Sequence, residues 1–176
     1  MKEITGNIAS PKGFTADGIH VGIKKKLDLG WIVSECPSSV AYVQTTNKVK
    51  AAPLILNKRT IQTTGKIQAV IANSGIANVC TGQKGMEDAI SMQQQVSETL
   101  GINQDFICVA STGIIGQRLP MSKIKKGIQQ LNKDGNANYF AKAILTTDLN
   151  TKTCVVTEKF GQTTVTMAGA VSYTHL

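Results

Sequence analysis

The segment Phe106-Ile107-Cys108-Val109-Ala110-Ser111-Thr112-Gly113-Ile114-Ile115-Gly116 constrains the fold more than any other. An unbroken apolar run reaches Ala110, stops at Ser-Thr-Gly, and resumes as Ile-Ile-Gly. Such a run bounded by small residues predicts a buried strand over Asp105–Ala110 entering a turn at Ser111-Thr112-Gly113. Gly113 would let that turn adopt a backbone conformation that a side chain forbids. A turn of this kind can aim main-chain N–H groups and the Thr112 hydroxyl at one point, which is how a developing oxyanion is held in acyl transfer. An ordinary strand-to-helix connection uses the same residues, so the segment alone leaves both readings open.

The flanking pattern places this strand in an α/β unit. Met86, Ala89, Ile90, Val96 and Leu100 share one face at helical spacing, and Gly101 ends the helix predicted over Met86–Leu100. Gln93-Gln94-Gln95 are expected on its wet side. Strands are predicted at Gly18–Lys24, where Ile19, Val21 and Ile23 alternate with polar or small residues, at Leu29–Cys36 and at Lys66–Ala72. The alternation puts His20 on a polar, solvent-facing side. Pro37-Ser38-Ser39 closes the second of these strands, and Leu54-Ile55-Leu56 is too short to assign. After Pro120-Met121-Ser122, a helix carries Ile124, Ile128 and Leu131 on one face and Lys123, Lys125 and Lys126 on the other. A further helix is expected over Asn138–Leu145, and Lys152–Glu158 with Thr163–Ala168 form a hairpin. Residues 1–17 are expected to be a lead-in loop. Hairpins mixed with helices argue against a purely parallel doubly wound sheet.

Composition narrows the function classes. Nineteen basic against eleven acidic residues give a net charge of +8 over 176 residues, yet the lysines are scattered and only 5% of residues are aromatic. Stacking platforms for single-stranded nucleic acid are therefore scarce, and attraction of small anionic substrates fits the charge better. No apolar run reaches membrane-spanning length, and the N-terminus has no basic-then-apolar secretory pattern. Cys36, Cys80, Cys108 and Cys154 are widely separated with no C-x-x-C pair, which predicts reduced and mostly buried thiols in a cytoplasmic protein. Two histidines, His20 and His175, exclude a histidine-rich metal site and disfavour a Ser-His-Asp triad. Thr81-Gly82-Gln83-Lys84-Gly85 is only loosely similar to a phosphate loop, and a helix-capping turn explains it better.

Six separated motifs, in order, resemble those of the ornithine (glutamate) N-acetyltransferases of the cyclic arginine pathway. They are Pro11-Lys12-Gly13-Phe14, the stretch from Thr45 to Pro53, the stretch from Asn73 to Gly82, the stretch from Ala110 to Gly116, Leu119-Pro120-Met121, and Leu145-Thr146-Thr147-Asp148. The resemblance implies a layered α/β sandwich with mixed β-sheets, close to that of a related self-processing aminopeptidase family. It implies a precursor that cuts itself before an internal threonine to give α and β chains. The freed threonine then carries acetyl from N-acetylornithine to glutamate, its amine acting as base and its hydroxyl as nucleophile. No metal and no organic cofactor are implied, and acetyl-CoA is left open as a second acetyl donor. Thr112 and Gly113 match the family's oxyanion-hole pair, and Thr146 matches a substrate-binding threonine.

The match departs at the end. After Ala170 the family continues toward a Lys-Gly-Ser-Gly stretch and the nucleophile, whereas this chain has Val171-Ser172-Tyr173-Thr174-His175-Leu176. Residues 1–170 are therefore expected to be a truncated α-chain portion forming one domain, and 171–176 a non-native tail in which Thr174 is not the nucleophile. The missing β chain would complete an α2β2 heterotetramer, with no nucleic-acid or membrane partner. Two other readings stand beside this one. A self-processing aminopeptidase is opposed by the Thr-Thr-Asn-Lys and Thr-Thr-Asp motifs. A non-enzymatic basic binding module is supported only by the net charge.

Overall fold

The computed structural model describes residues 1–172. Seven strands and four helices follow in the order β1 (Lys2–Glu3), β2 (Phe14–Ile19), β3 (Leu29–Ser39), α1 (Ala52–Thr64), β4 (Lys66–Ile76), α2 (Gly82–Leu100), β5 (Ile107–Ile114), α3 (Met121–Gln130), α4 (Ala137–Ala143), β6 (Lys152–Phe160) and β7 (Thr163–Val171). The main sheet has the order β2-β3-β4-β5, antiparallel except for the parallel pair β4–β5. A smaller antiparallel sheet has the order β1-β6-β7. The fold is thus α/β with mixed sheets, as the sequence predicts.

Alternation along the strands sets the layers. Leu29, Trp31 and Val33 of β3, Ile71 of β4, and Ile107 and Val109 of β5 join Met92 and Val96 of α2 and Ile124 and Ile128 of α3 in the main core. On the other face Ala16, Ala72 and Ile32 pack against Ala137 and Phe140 of α4. Gly18 and Gly30 permit that approach, because a Cβ on Gly18 would strike the α4 main chain at Tyr139 and one on Gly30 the Phe140 ring.

Several expectations are corrected. The strand expected at Gly18–Lys24 is instead β2, ending at Ile19. Ile19, Val21 and Ile23 do pack against the core, but the main chain at 21–24 is bound to a side chain, not to a neighbouring strand. The fully buried Asp28 carboxylate accepts the N–H groups of Val21 (2.7 Å), Ile23 (2.6 Å) and Lys24 (3.0 Å). A period of two can thus arise without a ladder. Pro37 does not end β3; pairing with β4 shifts register between Val33 and Ser38, and the proline sits in that irregularity. The lead-in contains β1, which pairs with β6, and most of β2.

Helix α1 is absent from the sequence reading because its inner face is polar. Asn57 and Thr60 are buried there, with Pro53 in the first turn and Gly65 closing the helix at φ +63. Gln93 is likewise buried, not wet: its amide donates to the Ile107 carbonyl (2.7 Å) and to Thr60 Oγ1 (3.1 Å). The thiols differ from expectation too, since Cys36, Cys80 and Cys154 are exposed and only Cys108 is buried. The hairpin and the helices beginning near Met121 and Asn138 are found close to their predicted bounds. Within the tail, Val171 pairs with Lys152, and Ser172 donates to the Ile144 carbonyl (2.8 Å). Thr174 and His175 lie outside the described residues.

Candidate functional site

The parallel pair continues past the point where the sequence suggests a turn. Ser74, Gly75 and Ile76 of β4 lie opposite Thr112, Gly113 and Ile114 of β5, so Thr112 and Gly113 belong to the C-terminal end of a strand. Open α/β sheets bind ligands at the carboxyl ends of their strands. Gly113 has φ +131 and its neighbour Gly75 φ +108. A Cβ on Gly113 would run into the Gly75 main chain, and one on Gly75 would press on the Ile23 side chain. Only glycine lets the two strands stay in register here.

β5 is the outer strand of its sheet, and its outer edge is treated differently along its length. Asn57 of α1 accepts from the Val109 N–H (2.9 Å) and donates to the Val109 carbonyl (2.8 Å). Gln93 of α2 binds the Ile107 carbonyl. Two-residue alternation directs the main-chain groups of 107, 109, 111 and 113 toward this same edge. Among the described residues no side chain caps the main chain of Ser111 or Gly113. The half-buried Thr112 hydroxyl also has no hydrogen-bond partner among the described residues, and Ile114 and Ile115 beside it are 61% and 65% exposed.

The following loop is held firmly. The Ala77 N–H donates to the Ile114 carbonyl and the Gly116 N–H to the Val79 carbonyl, both at 2.9 Å. Arg118 donates from Nε and Nη2 to the two oxygens of Asp88 at 2.9 and 3.0 Å. Loop 77–81 needs unusual backbone, with Asn78 at φ +52 and Cys80 at φ +58. Buried Asn78 stabilises it by donating to the Gly85 carbonyl (2.9 Å) and accepting from Thr81 Oγ1 (2.7 Å).

Thr146 approaches from the α4 side. Thr112 and Ser74 are register partners with side chains on one face of the sheet. The Ser74 hydroxyl donates to the Ala143 carbonyl at the end of α4, and Lys24 Nζ donates to the Leu145 carbonyl. These contacts bring the segment before Thr146 alongside the Thr112–Gly113 end of the sheet. The half-buried Thr146 hydroxyl has no partner among the described residues. Asp148, two residues on, pairs with Lys152 at 2.7 Å and has its other carboxylate oxygen buried without a partner. Burial lowers the Lys24 pKa, opposed in part by the Asp28 charge. A groove of about 720 Å³ lined in part by Lys26, Tyr139, Lys142 and Leu145 passes this segment and does not include Thr112 or Gly113.

Sequence reasoning singled out Thr112 and Gly113 but ended their strand at Ala110, and it gave no role to Lys24 or Asp28. A buried acid between two apolar segments was the available signal for Asp28. His20 is half-exposed, with Nδ1 2.8 Å from the Lys26 carbonyl and 3.4 Å from Asp28 Oδ2. No group of three or more His, Cys, Asp or Glu able to hold a metal occurs among the described residues. No helix among them is long and apolar enough to cross a membrane.

Residues 15–172 match the ArgJ family. The arginine biosynthesis bifunctional protein ArgJ of Staphylococcus epidermidis is 61% identical over 170 residues, which are 96% of this chain and 43% of the relative. The Listeria monocytogenes protein of the same name is 52% identical over 171 residues, again 96% of this chain and 43% of the relative. The chain thus spans less than half the length of these curated relatives. Among solved structures, that of the arginine biosynthesis bifunctional protein ArgJ from Bacillus halodurans superposes with a TM-score of 0.92 at 45% identity, covering 97% of this chain and 92% of that one. Ornithine acetyltransferase from Mycobacterium tuberculosis, solved in complex with ornithine, superposes with a TM-score of 0.87 at 34% identity, covering 97% and 93%. Fold, motif order and sequence identity agree over nearly the whole chain, and the chain belongs to the ArgJ family.

Proposed function

We propose that residues 1–170 are the α-chain portion of an enzyme that transfers acetyl from N-acetylornithine to glutamate, and that 171–176 are a non-native tail. The observation that carries this reading is the uncapped end of β5. There the Thr112 hydroxyl, on the α4 face of the sheet, and the Gly113 N–H, at its outer edge, belong to successive residues without an internal partner among the described residues, at the carboxyl end of a parallel strand pair. Two preorganised donors of this sort suit a tetrahedral acyl-transfer intermediate, whose charge appears on the former carbonyl oxygen. In this reading the nucleophile is a threonine in the remainder of the enzyme, freed by self-cleavage. Its hydroxyl attacks the acetyl carbonyl, the amide C–N bond breaks, and ornithine leaves with the proton passed on by the threonine amine. Glutamate's amine then attacks the acetyl ester and regenerates the hydroxyl. Thr146 holds the amino-acid substrate. The open edge of β5 and exposed Ile114 and Ile115 are suited to cover by the β chain, in an α2β2 assembly working in the cytoplasm. The chemistry calls on no metal or organic cofactor.

Steady-state kinetics on the full-length processed enzyme test the reading. Losing one oxyanion donor costs on the order of 100- to 1000-fold in kcat. Thr112→Ala removes only the hydroxyl and leaves the Gly113 N–H, so a fall of about 100-fold is expected with KM little changed. Thr146→Ala should act on KM instead. A Thr112→Ala enzyme with normal kcat and its whole defect in KM would make this strand end a binding element. The same assay with acetyl-CoA as donor decides whether that substrate is used. The 176-residue chain alone should show no transfer.

A further inference from the structure

The carbonyls at the end of α4 and in the two residues that follow it are satisfied by an unusual set of donors. Helix C-termini leave their final C=O groups without intrahelical partners. Here Ala143 receives the Ser74 hydroxyl from β4, Ile144 receives the Ser172 hydroxyl, and Leu145 receives the Lys24 ammonium from the 20–28 loop. Two of these donors trace directly to the oxyanion strand pair. Ser74 is the register partner of Thr112. Lys24 belongs to the loop whose Ile23 side chain abuts Gly75, the register partner of Gly113. The loop is fixed in turn, since Asp28 accepts the Val21, Ile23 and Lys24 N–H groups while its own carbonyl accepts from the Ser74 N–H (2.9 Å).

We infer that Lys24, with Ser74, is a positioning residue that fixes the height of Thr146 above the Thr112–Gly113 strand end through the Leu145 and Ala143 carbonyls. The inference rests on the reading of Thr146 as a substrate-binding group. A lysine suits the task because its long stem crosses from the loop to the segment just past α4, where a cation near the helix C-terminus is favoured. Its half-buried ammonium donates to that carbonyl, so Lys24 acts on the segment that carries Thr146.

The test is a double-mutant cycle in the full-length processed enzyme, with N-acetylornithine and glutamate as substrates. Lys24→Met keeps the stem and removes the donor. It should raise KM for N-acetylornithine about tenfold, the size expected for a hydrogen bond to a charged group, with kcat within twofold. Lys24→Arg should recover most of that loss, because it restores a cationic donor. In a Thr146→Ala background the Lys24→Met change should cost less than twofold, since the threonine it positions is gone. Equal effects of Lys24→Met in both backgrounds, or a fall in kcat at constant KM, would overturn the inference while leaving the acetyltransferase reading intact. Should Lys24→Met yield no processed enzyme, Ser74→Ala completes the same cycle with the same criterion. A wild-type enzyme that fails to transfer acetyl between these substrates refutes the functional reading, and the inference with it.

Discussion

Asp28→Asn is the sharpest perturbation of the loop beside the site, because it changes charge and donor pattern without changing shape. The carboxylate accepts one N–H on Oδ1, from Val21, and two on Oδ2, from Ile23 and Lys24. An amide offers one carbonyl and one NH2 group. In either flip at least one backbone N–H faces a donor, and the bonds that survive lose the assistance of the negative charge. A buried N–H left without an acceptor costs about 1–3 kcal/mol. These N–H groups are only partly buried and can recruit water, so the lower part of that range applies, with a similar sum for the weakened bonds. The total is about 2–3 kcal/mol. For a chain of 150–250 residues each kcal/mol moves Tm by about 2–4 °C, so the expected fall is about 5–10 °C. Thermal unfolding followed by circular dichroism measures it, and hydrogen exchange should show the loss of protection at residues 21–24. Because the Ser74 N–H bonds the main-chain carbonyl of Asp28, its protection should survive. A Tm within 2 °C of wild type would show that the carboxylate does not organise this loop, and the route from Lys24 to Leu145 would lose its support.

Three further outcomes follow from particular contacts. Asn57→Leu removes both caps on Val109 from a side chain only 6% exposed; urea unfolding should show a loss of about 2–4 kcal/mol with the slope m unchanged, and a loss under about 0.5 kcal/mol would refute the edge-capping role. Alkylation of the native chain at pH 8 should modify the exposed Cys36, Cys80 and Cys154 quickly and spare Cys108, whose thiol is buried and pushed up to about 11; four equally fast thiols by mass spectrometry would contradict this. The same thiol makes stability fall with alkaline pH: its unfolded form ionises near 9.0 while the folded form keeps its proton to about 11, so its contribution is intact below the first value and lost through the second. Cys108→Ala should flatten that part of the pH–stability curve.

The legible parts of the fold were those where apolar side chains carry the periodicity. The helix ending at Leu100 and the strand beginning near Ile107 are fixed by side chains that meet the core, and the largely exposed hairpin Lys152–Phe160 with Thr163–Val171 is marked by alternation and by Gly161 in its turn. What stayed hidden depends on polar groups satisfying main chain at long range. Helix α1 escaped because Asn57 and Thr60 occupy positions where apolar residues would announce it, 52 residues away from the Val109 main chain that Asn57 serves. Gln93 looked wet for the same reason. The 20–24 segment looked like a strand because Ile19, Val21 and Ile23 do face the core, while the group that binds their backbone is a single carboxylate. At the site, Thr112 and Gly113 could be singled out from the break in an apolar run. Continuation of the strand through them could not, since it needs a second glycine, Gly75, at the matching level of another strand.

The Gly75–Gly113 match also explains how one strand edge can be sealed in the core and open at the site. Unpaired strand edges invite association and are normally covered or blunted. Here side-chain amides from α1 and α2 cover Ile107 and Val109, where the helices pack on the sheet, and the cover ends before Ser111. Beyond that level the strand would ordinarily fray, because its outer groups have lost their caps. It stays extended because the inner edge is still paired with β4 through Ile76, and because facing glycines remove the Cβ atoms that would force the two strands apart. Pairing on one side and exposure on the other leave Gly113's outward N–H rigidly placed yet without an internal partner among the described residues. A preorganised donor needs both conditions, since a mobile one must be ordered during the reaction and a satisfied one has nothing to give. Gly113→Ala should therefore damage the site at its foundation, disrupting the pairing of 113–114 with 75–76, whereas Thr112→Ala removes a single hydroxyl from an intact frame.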